Sequence, residues 1–328
     1  MKLQPFQTLK HYDKKNFPKD ILAGIIIMAV SIPISMGYAQ IAGLPAVYGL
    51  YGSVLPILFF AVFSTSPQFI FGVDAAPAAL VGSALLSMGI ESGSEEAMRA
   101  VPVLTLFVAL WLFAFSYMKA GKLVNYISAP VMGGFITGIC TTIILMQIPK
   151  LFGGSAGVGE FFELAVHIGE SLEKLNLPSL LLGLFALFIL LLSKKLIPKF
   201  PMAVLLMAAG ACMTKFLPLK KWGVVTLSAV DPGLMPFALP DLSVIAVRVA
   251  VTISLSVAIV IMAETLLAEN SFAQKNGYRI NDNQEIFAFA MGNLIAALTG
   301  CCPINGSVSR TAMGEQYQAR TQLTGIVA

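Results

Sequence analysis

The sequence predicts an all-α polytopic membrane protein, and three observations carry that prediction. Hydrophobic residues make up 57 % of the 328 and charged residues only 12 %, about half the charge content of an ordinary soluble domain. The apolar residues gather into runs near the length of about 20 that a bilayer-crossing helix needs. Inside those runs, Gly and Pro strings mark places where a helix stops and starts again. With short connections the chain holds roughly ten spans, and the mean hydropathy of +0.83 agrees.

Apolar runs bounded by charge, Gly or Pro give the spans in order. The first is 20–41, after a segment with five lysines in its first 20 residues and no apolar core, so no cleavable signal is present. Then come 45–63, 74–90, 98–118, 124–148, 178–197, 200–217, 243–268 and 284–301, with a tenth starting near Ser307. With residues 1–19 cytoplasmic, the inner segments hold twelve Lys and Arg and the outer ones six, along with most of the acidic residues. This predicts an N-in topology in a plasma membrane, the bacterial inner membrane. Two outer segments exceed turn length. Residues 149–177 open on GGSAGVG and continue as an amphipathic surface helix, and 218–242 carry Pro218, Pro232, Pro236 and Pro240. Gly134 and Gly138 form a GxxxG suited to close helix packing.

Several functions are disfavoured. The net charge is +4 with no basic stripe, which argues against nucleic acid. Cys140, Cys212, Cys301 and Cys302 lie in or beside apolar stretches without metal-ligand spacing, so they read as packing residues, with no metal and no cofactor. His11 and His167 lie in polar segments, which leaves the interior without the usual catalytic base, and no enzyme is expected.

Charge inside a membrane points to function. Glu264 sits in the middle of AVTISLSVAIVIMAETLLA and must face protein or water; it can carry a proton, hold a cation or pair with Arg310. Before Arg310, Pro303 and Gly306 break the helix, so Ser307, Val308, Ser309 and Arg310 start a new one. Its free amides favour an anion, helped by two hydroxyls and a guanidinium. Alternatively, Ser307 or Ser309 only caps the helix. The string FGVDAAPAAL gives a second interrupted start, with Gly72 at the turn and Asp74 as cap ahead of Ala75, ion coupling being the alternative for Asp74. Two such half-helix starts near the midplane are how transporters build a substrate site. Tyr38, one turn after Pro33, can wall the same cavity, and Arg248 can snorkel to the outer interface.

At these residues the sequence resembles the SulP family, the sulfate permease and solute carrier 26 anion transporters. The resemblance rests on IPISMGYAQIAGLPAVYGLYGS from Ile32 to Ser53, then on the stretch from Glu264 through NGYRINDNQE, PINGSVSRTA and TQLTGIV. It implies fourteen spans in two inverted repeats of seven, divided into core and gate domains, with a cytoplasmic STAS domain following and a homodimer when full length. The first repeat is then 20–217, the connecting loop 218–242, and 243–328 an incomplete second repeat, with spans eleven to fourteen and the STAS domain expected beyond Ala328. It also places Tyr38, Asp74, Ala75, Ser307, Val308, Ser309 and Arg310 at the anion and Glu264 at the coupling ion, H+ or, less favoured, Na+. Ile34, Val73 and Asp74 depart from the family pattern. The implied activity is proton-coupled, elevator-like transport of sulfate, bicarbonate or a dicarboxylate. The alternatives are nucleobase transport on the same fold and an uncoupled anion channel.

Overall fold

The computed structural model describes residues 5–8, 10, 12–124, 129–155, 157, 161–197, 200, 202–226, 235 and 237–328. His11, Glu160, Lys199, Pro232 and Pro236 lie outside the described residues, as do Ala156, Val158 and Gly159 of the GGSAGVG string. The chain forms two compact units, one of Met1–Met132 with Gly233–Ala328 and one of Gly133–Pro232. Residues 20–217 therefore contribute to both.

In the first unit, α1 (Phe17–Ile41) starts with Pro at its second position, where a missing N–H costs nothing. The expected span 45–63 is instead two helices, α2 (Val47–Tyr51) and α3 (Leu55–Phe63). The break falls where Ser53 Oγ donates to the Gly49 carbonyl at 2.9 Å and bonds Ser35 Oγ of α1 at 2.9 Å, just before Pro56. A strand of two residues, β1 (Phe71–Gly72), then leads into α4 (Ala75–Ser87). Next, α5 (Glu95–Tyr117) opens on Ser94, whose hydroxyl accepts from Ala97 N, and has Glu95 and Glu96 in its first turn, where the helix dipole favours them. A short α6 (Gly121–Val124) follows.

The second unit takes most of α7 (Ala129–Leu151), then α8 (Phe161–Glu173), α9 (Leu177–Leu196) and α10 (Met202–Phe216). The expected amphipathic helix is α8: Leu164 and Ser171 are buried while Phe161, Phe162 and Val166 are exposed. Asn176 caps α9 by accepting from Ser179 N at 2.9 Å and also donates to the Trp222 carbonyl at 2.9 Å. A Cβ at Gly134 or Gly138 would meet nothing within 4 Å among the described residues. Cys212 on α10 is exposed, unlike the buried Cys301 and Cys302, so it is not a packing residue within this chain.

The chain returns to the first unit as α11 (Val247–Asn276) and α12 (Asp282–Leu298), followed by β2 (Asn305–Gly306), α13 (Val308–Gln316) and α14 (Leu323–Val327). Because α11 starts at Val247, exposed Arg248 is its second residue. The core is built by α12 against α5 and α3, with α11 beside α5 and α1 against α13 and α14. Phe60, Phe71 and Phe289 stack in its middle, with ring centroids 4.5 to 6.1 Å apart. Among the described residues, Lys14–Ile41, Glu95–Tyr117, Leu177–Leu196 and Val247–Asn276 are long and apolar enough to cross a membrane.

Candidate functional site

The strands pair antiparallel, Phe71 opposite Gly306 and Gly72 opposite Asn305. Each strand runs within three residues into a helix, so the N-termini of α4 and α13 approach each other from opposite sides of the pair. Further bonds fix the crossing: Ser307 N donates to the Ile70 carbonyl at 2.8 Å, and Ile70 N donates to Thr311 Oγ1 at 3.0 Å. Gly306 is required by close approach, since a Cβ there would fall 2.2 Å from the Phe69 ring and 2.5 Å from Thr265 Cγ2.

The two helix starts differ. At α4, Asp74 Oδ1 accepts from Ala75 N at 2.8 Å, so the cap role expected for Asp74 is seen and the Ala75 amide is already engaged. At α13, Ser307 occupies the cap position but makes no side-chain cap bond; its hydroxyl lies 3.3 Å from Ser309 Oγ. The capping alternative for Ser307 is therefore not what the structure holds. Ser307 is buried, while Val308 and Ser309, the first two residues of α13, are exposed.

Arg310 is 2 % exposed. Its side chain points back along α13, as helical side chains do. Nη2 donates to the Val73 carbonyl at 2.7 Å and stands 3.7 Å from Asp74 Oδ2, while Nε has no partner among the described residues. Arg310 and Glu264 do not form the ion pair weighed from the sequence. Arg310 turns to Val73 and Asp74, and Glu264 Oε2 accepts from Asn305 Nδ2 at 2.7 Å. Asn305 Oδ1 in turn accepts from Thr265 Oγ1, which accepts from Gly306 N at 3.2 Å. Half-buried Tyr38 lies within electrostatic reach of both Asp74 and Arg310. The fold thus gathers Tyr38, Asp74, Glu264, Ser307, Ser309 and Arg310 around the crossing.

Sequence reasoning missed Asn305 and Thr265, which fasten Glu264 to β2. The available signal was an amide side chain directly before Gly306 in the interrupted string. It also missed Asp20, buried on α1, which accepts from Arg320 N at 2.7 Å, Thr321 Oγ1 at 2.7 Å and Thr324 Oγ1 at 3.2 Å. Gln322 Nε2 donates to the Ser66 and Phe69 carbonyls at 2.7 and 2.9 Å, holding the approach to β1.

Two half-helices that start head-on at a two-residue sheet, packed among apolar helices of membrane-spanning length, define a polytopic membrane protein of the broken-helix type. A model of the sulfate permease family matches residues 17–328, and the chain belongs to that family. It is 28 % identical over 97 % of its length to a protein of Mycobacterium tuberculosis named "Probable sulfate transporter", of which it covers 57 %. Its fold is similar to that of the murine Slc26a9 anion transporter in the inward-facing state, with a TM-score of 0.84 at 23 % identity, covering 97 % of this chain and 56 % of that one. It is also similar to the transmembrane domain of a cyanobacterial bicarbonate transporter, BicA, with a TM-score of 0.81 at 18 % identity, covering 96 % and 81 %. The chain spans about half the length of the curated relatives it matches.

Proposed function

We propose that this chain supplies the substrate-binding part of a secondary transporter for a small anion. The observation that carries the reading is the start of α13, which no side chain caps and which is exposed at Val308 and Ser309, with the buried Ser307 hydroxyl 3.3 Å from that of Ser309 and a buried guanidinium in the same turn. Amide dipoles and hydroxyl donors bind an anion without needing a mobile counter-charge. Sulfate and bicarbonate, which the names of relatives carry, and then a dicarboxylate are the candidate substrates.

Glu264 is the proposed coupling group. Asn305 holds one carboxyl oxygen at 2.7 Å beside the crossing, so a proton gained or lost at Glu264 changes the charge that the anion meets. Two carboxylates and one guanidinium surround an anion poorly, and protonating Glu264 leaves Asp74 and Arg310 balanced. Binding of the anion and of a proton then favour each other, which is the thermodynamic content of symport. Elevator-like movement of the core against the gate follows from the family resemblance and belongs to this proposal, as do dimerisation and an N-in plasma-membrane topology.

The second reading is a nucleobase substrate. Asp74 and Glu264 favour it, because both offer acceptors for ring N–H groups. Uptake of labelled sulfate, bicarbonate and fumarate into proteoliposomes tests the first reading. Saturable uptake of labelled uracil or xanthine, with no saturable anion uptake, would establish the second. Anion currents without stoichiometric proton movement would instead make the protein a channel.

A further inference from the structure

Five residues beyond Glu264 on α11, about 7.5 Å along the helix axis, Glu269 is completely buried and neither of its carboxyl oxygens has a hydrogen-bond donor among the described residues. It lies against Glu285 of α12, with Asp282 the next charge and Tyr278 of the connecting turn also near. The charged groups that face it are therefore both acidic.

Glu285 is bound in a different way. It too is buried, but Oε1 accepts from Thr65 N at 2.5 Å, from Thr65 Oγ1 and from Ser66 N at 3.1 Å, and Oε2 accepts from Ser64 Oγ at 2.9 Å. Two of these donors are backbone amides, which can only donate, so Glu285 presents acceptor oxygens to the 64–66 segment. Oε2 has one donor and keeps a lone pair free. Two ionised carboxylates in contact in a dry site would have no counter-charge, an arrangement that buried pairs avoid by sharing a proton.

We propose that Glu269 and Glu285 form a proton-binding site separate from Glu264. One proton resides between them, with the Glu269 carboxyl donating to the free lone pair of Glu285 Oε2. Loading the site takes a proton from hydronium and releases water, with no redox partner. The site reports to the crossing through the segment it holds, because residues 64–66 run directly into Phe69, Ile70 and β1. When the proton leaves, like charges meet at the α11–α12 contact and the hold of Glu285 on that segment weakens. The site stands on the geometry of α11 and α12 and does not depend on which substrate is carried.

Infrared spectroscopy of the full-length protein tests this in a Glu264→Gln background, which removes the other candidate proton carrier from the spectrum. Glutamine at 269 keeps the volume and still offers an N–H to Glu285, so Glu264→Gln/Glu269→Gln is expected to fold. The Glu264→Gln protein should show a protonated-carboxyl C=O band that shifts in D2O and that the double variant lacks. Raising the pH should remove the band and lower the exchange protection of the Thr65 and Ser66 amides at least tenfold, whereas protection in the double variant should not change. A band unaffected by Glu269→Gln would overturn the proposal, as would one that appears only after Na+ is removed, which would make the occupant a metal cation.

Discussion

The Arg310 guanidinium donates to the carbonyl oxygen of Val73 at 2.7 Å, so the first turn of α13 is tied to the entry of α4 across the two-residue sheet. The same group stands 3.7 Å from Asp74, whose other oxygen caps α4. The two half-helix starts are thereby coupled by one side chain, and the positive charge nearest the open helix start is shared with a carboxylate.

Asp74 should therefore lower anion affinity. Asparagine also serves as an N-cap, so Asp74→Asn keeps the bond to Ala75 N while removing the competing charge. The expected result is an anion KM lowered several-fold, with a lowered thermal stability in detergent because the buried Arg310 loses its carboxylate partner. Arg310→Met should raise KM or abolish uptake, and leaving Asp74 without its cation should destabilise the fold by about 2 kcal/mol, below the range for fully buried pairs because Asp74 is partly exposed.

Gly72 makes room for that guanidinium. A Cβ at this position would sit 3.0 Å from Arg310 Nη1. Gly72→Ala is expected to displace the Arg310 side chain and reduce uptake at least tenfold, with a stability loss of only about 1 kcal/mol. Equal loss of uptake and of folded protein, measured by size-exclusion chromatography and thermal melts, would mean a general packing role.

Asp20 holds the α13–α14 turn and the start of α14 to α1 with two bonds of 2.7 Å, from Arg320 N and Thr321 Oγ1, and one of 3.2 Å from Thr324 Oγ1, and it also accepts from Tyr12 Oη at 3.3 Å. Asp20→Ala leaves buried donors without acceptors and should cost about 3 kcal/mol, read as a lowered melting temperature. Asp20→Asn retains one acceptor oxygen and should recover part of that loss.

Tyr278, in the turn between α11 and α12, has its hydroxyl pushed up to about 12 by burial, and the nearby Glu269, Glu285 and Glu315 act in the same direction against the bond from Ser66. An unfolded tyrosine ionises near 10. Between these values the folded protein binds more protons than the unfolded chain, so stability falls as pH rises from about 10 to about 12. Tyr278→Phe should remove that part of the slope, measured by denaturant unfolding across the window.

Much of this architecture was legible in the sequence because span length and interrupted helices are local signals. Gly72 with Asp74, and Pro303 with Gly306, mark both half-helix starts, and Gly72, Asp74 and Gly306 lie within three residues of where their helices begin. The division of 45–63 into two helices was less legible, since it depends on Ser53 meeting Ser35 of another helix. The partners of the buried charges were also hidden. Glu264 and Arg310 have opposite charges, yet Asn305 takes one and Val73 the other, because strand pairing sets which atoms come within reach. Nothing local in the sequence marks Asp20 and Glu285 as buried, and only the fold brings Thr321 and Thr65 to them.

The most direct measurement is uptake of labelled sulfate and bicarbonate into proteoliposomes holding the full-length protein, with and without an inward proton gradient, for wild type and Glu264→Gln. The account predicts saturable uptake of one anion that the gradient accelerates in wild type, and uptake in Glu264→Gln that no longer responds to the gradient. Gradient-driven uptake of equal size in both proteins would contradict the coupling role of Glu264.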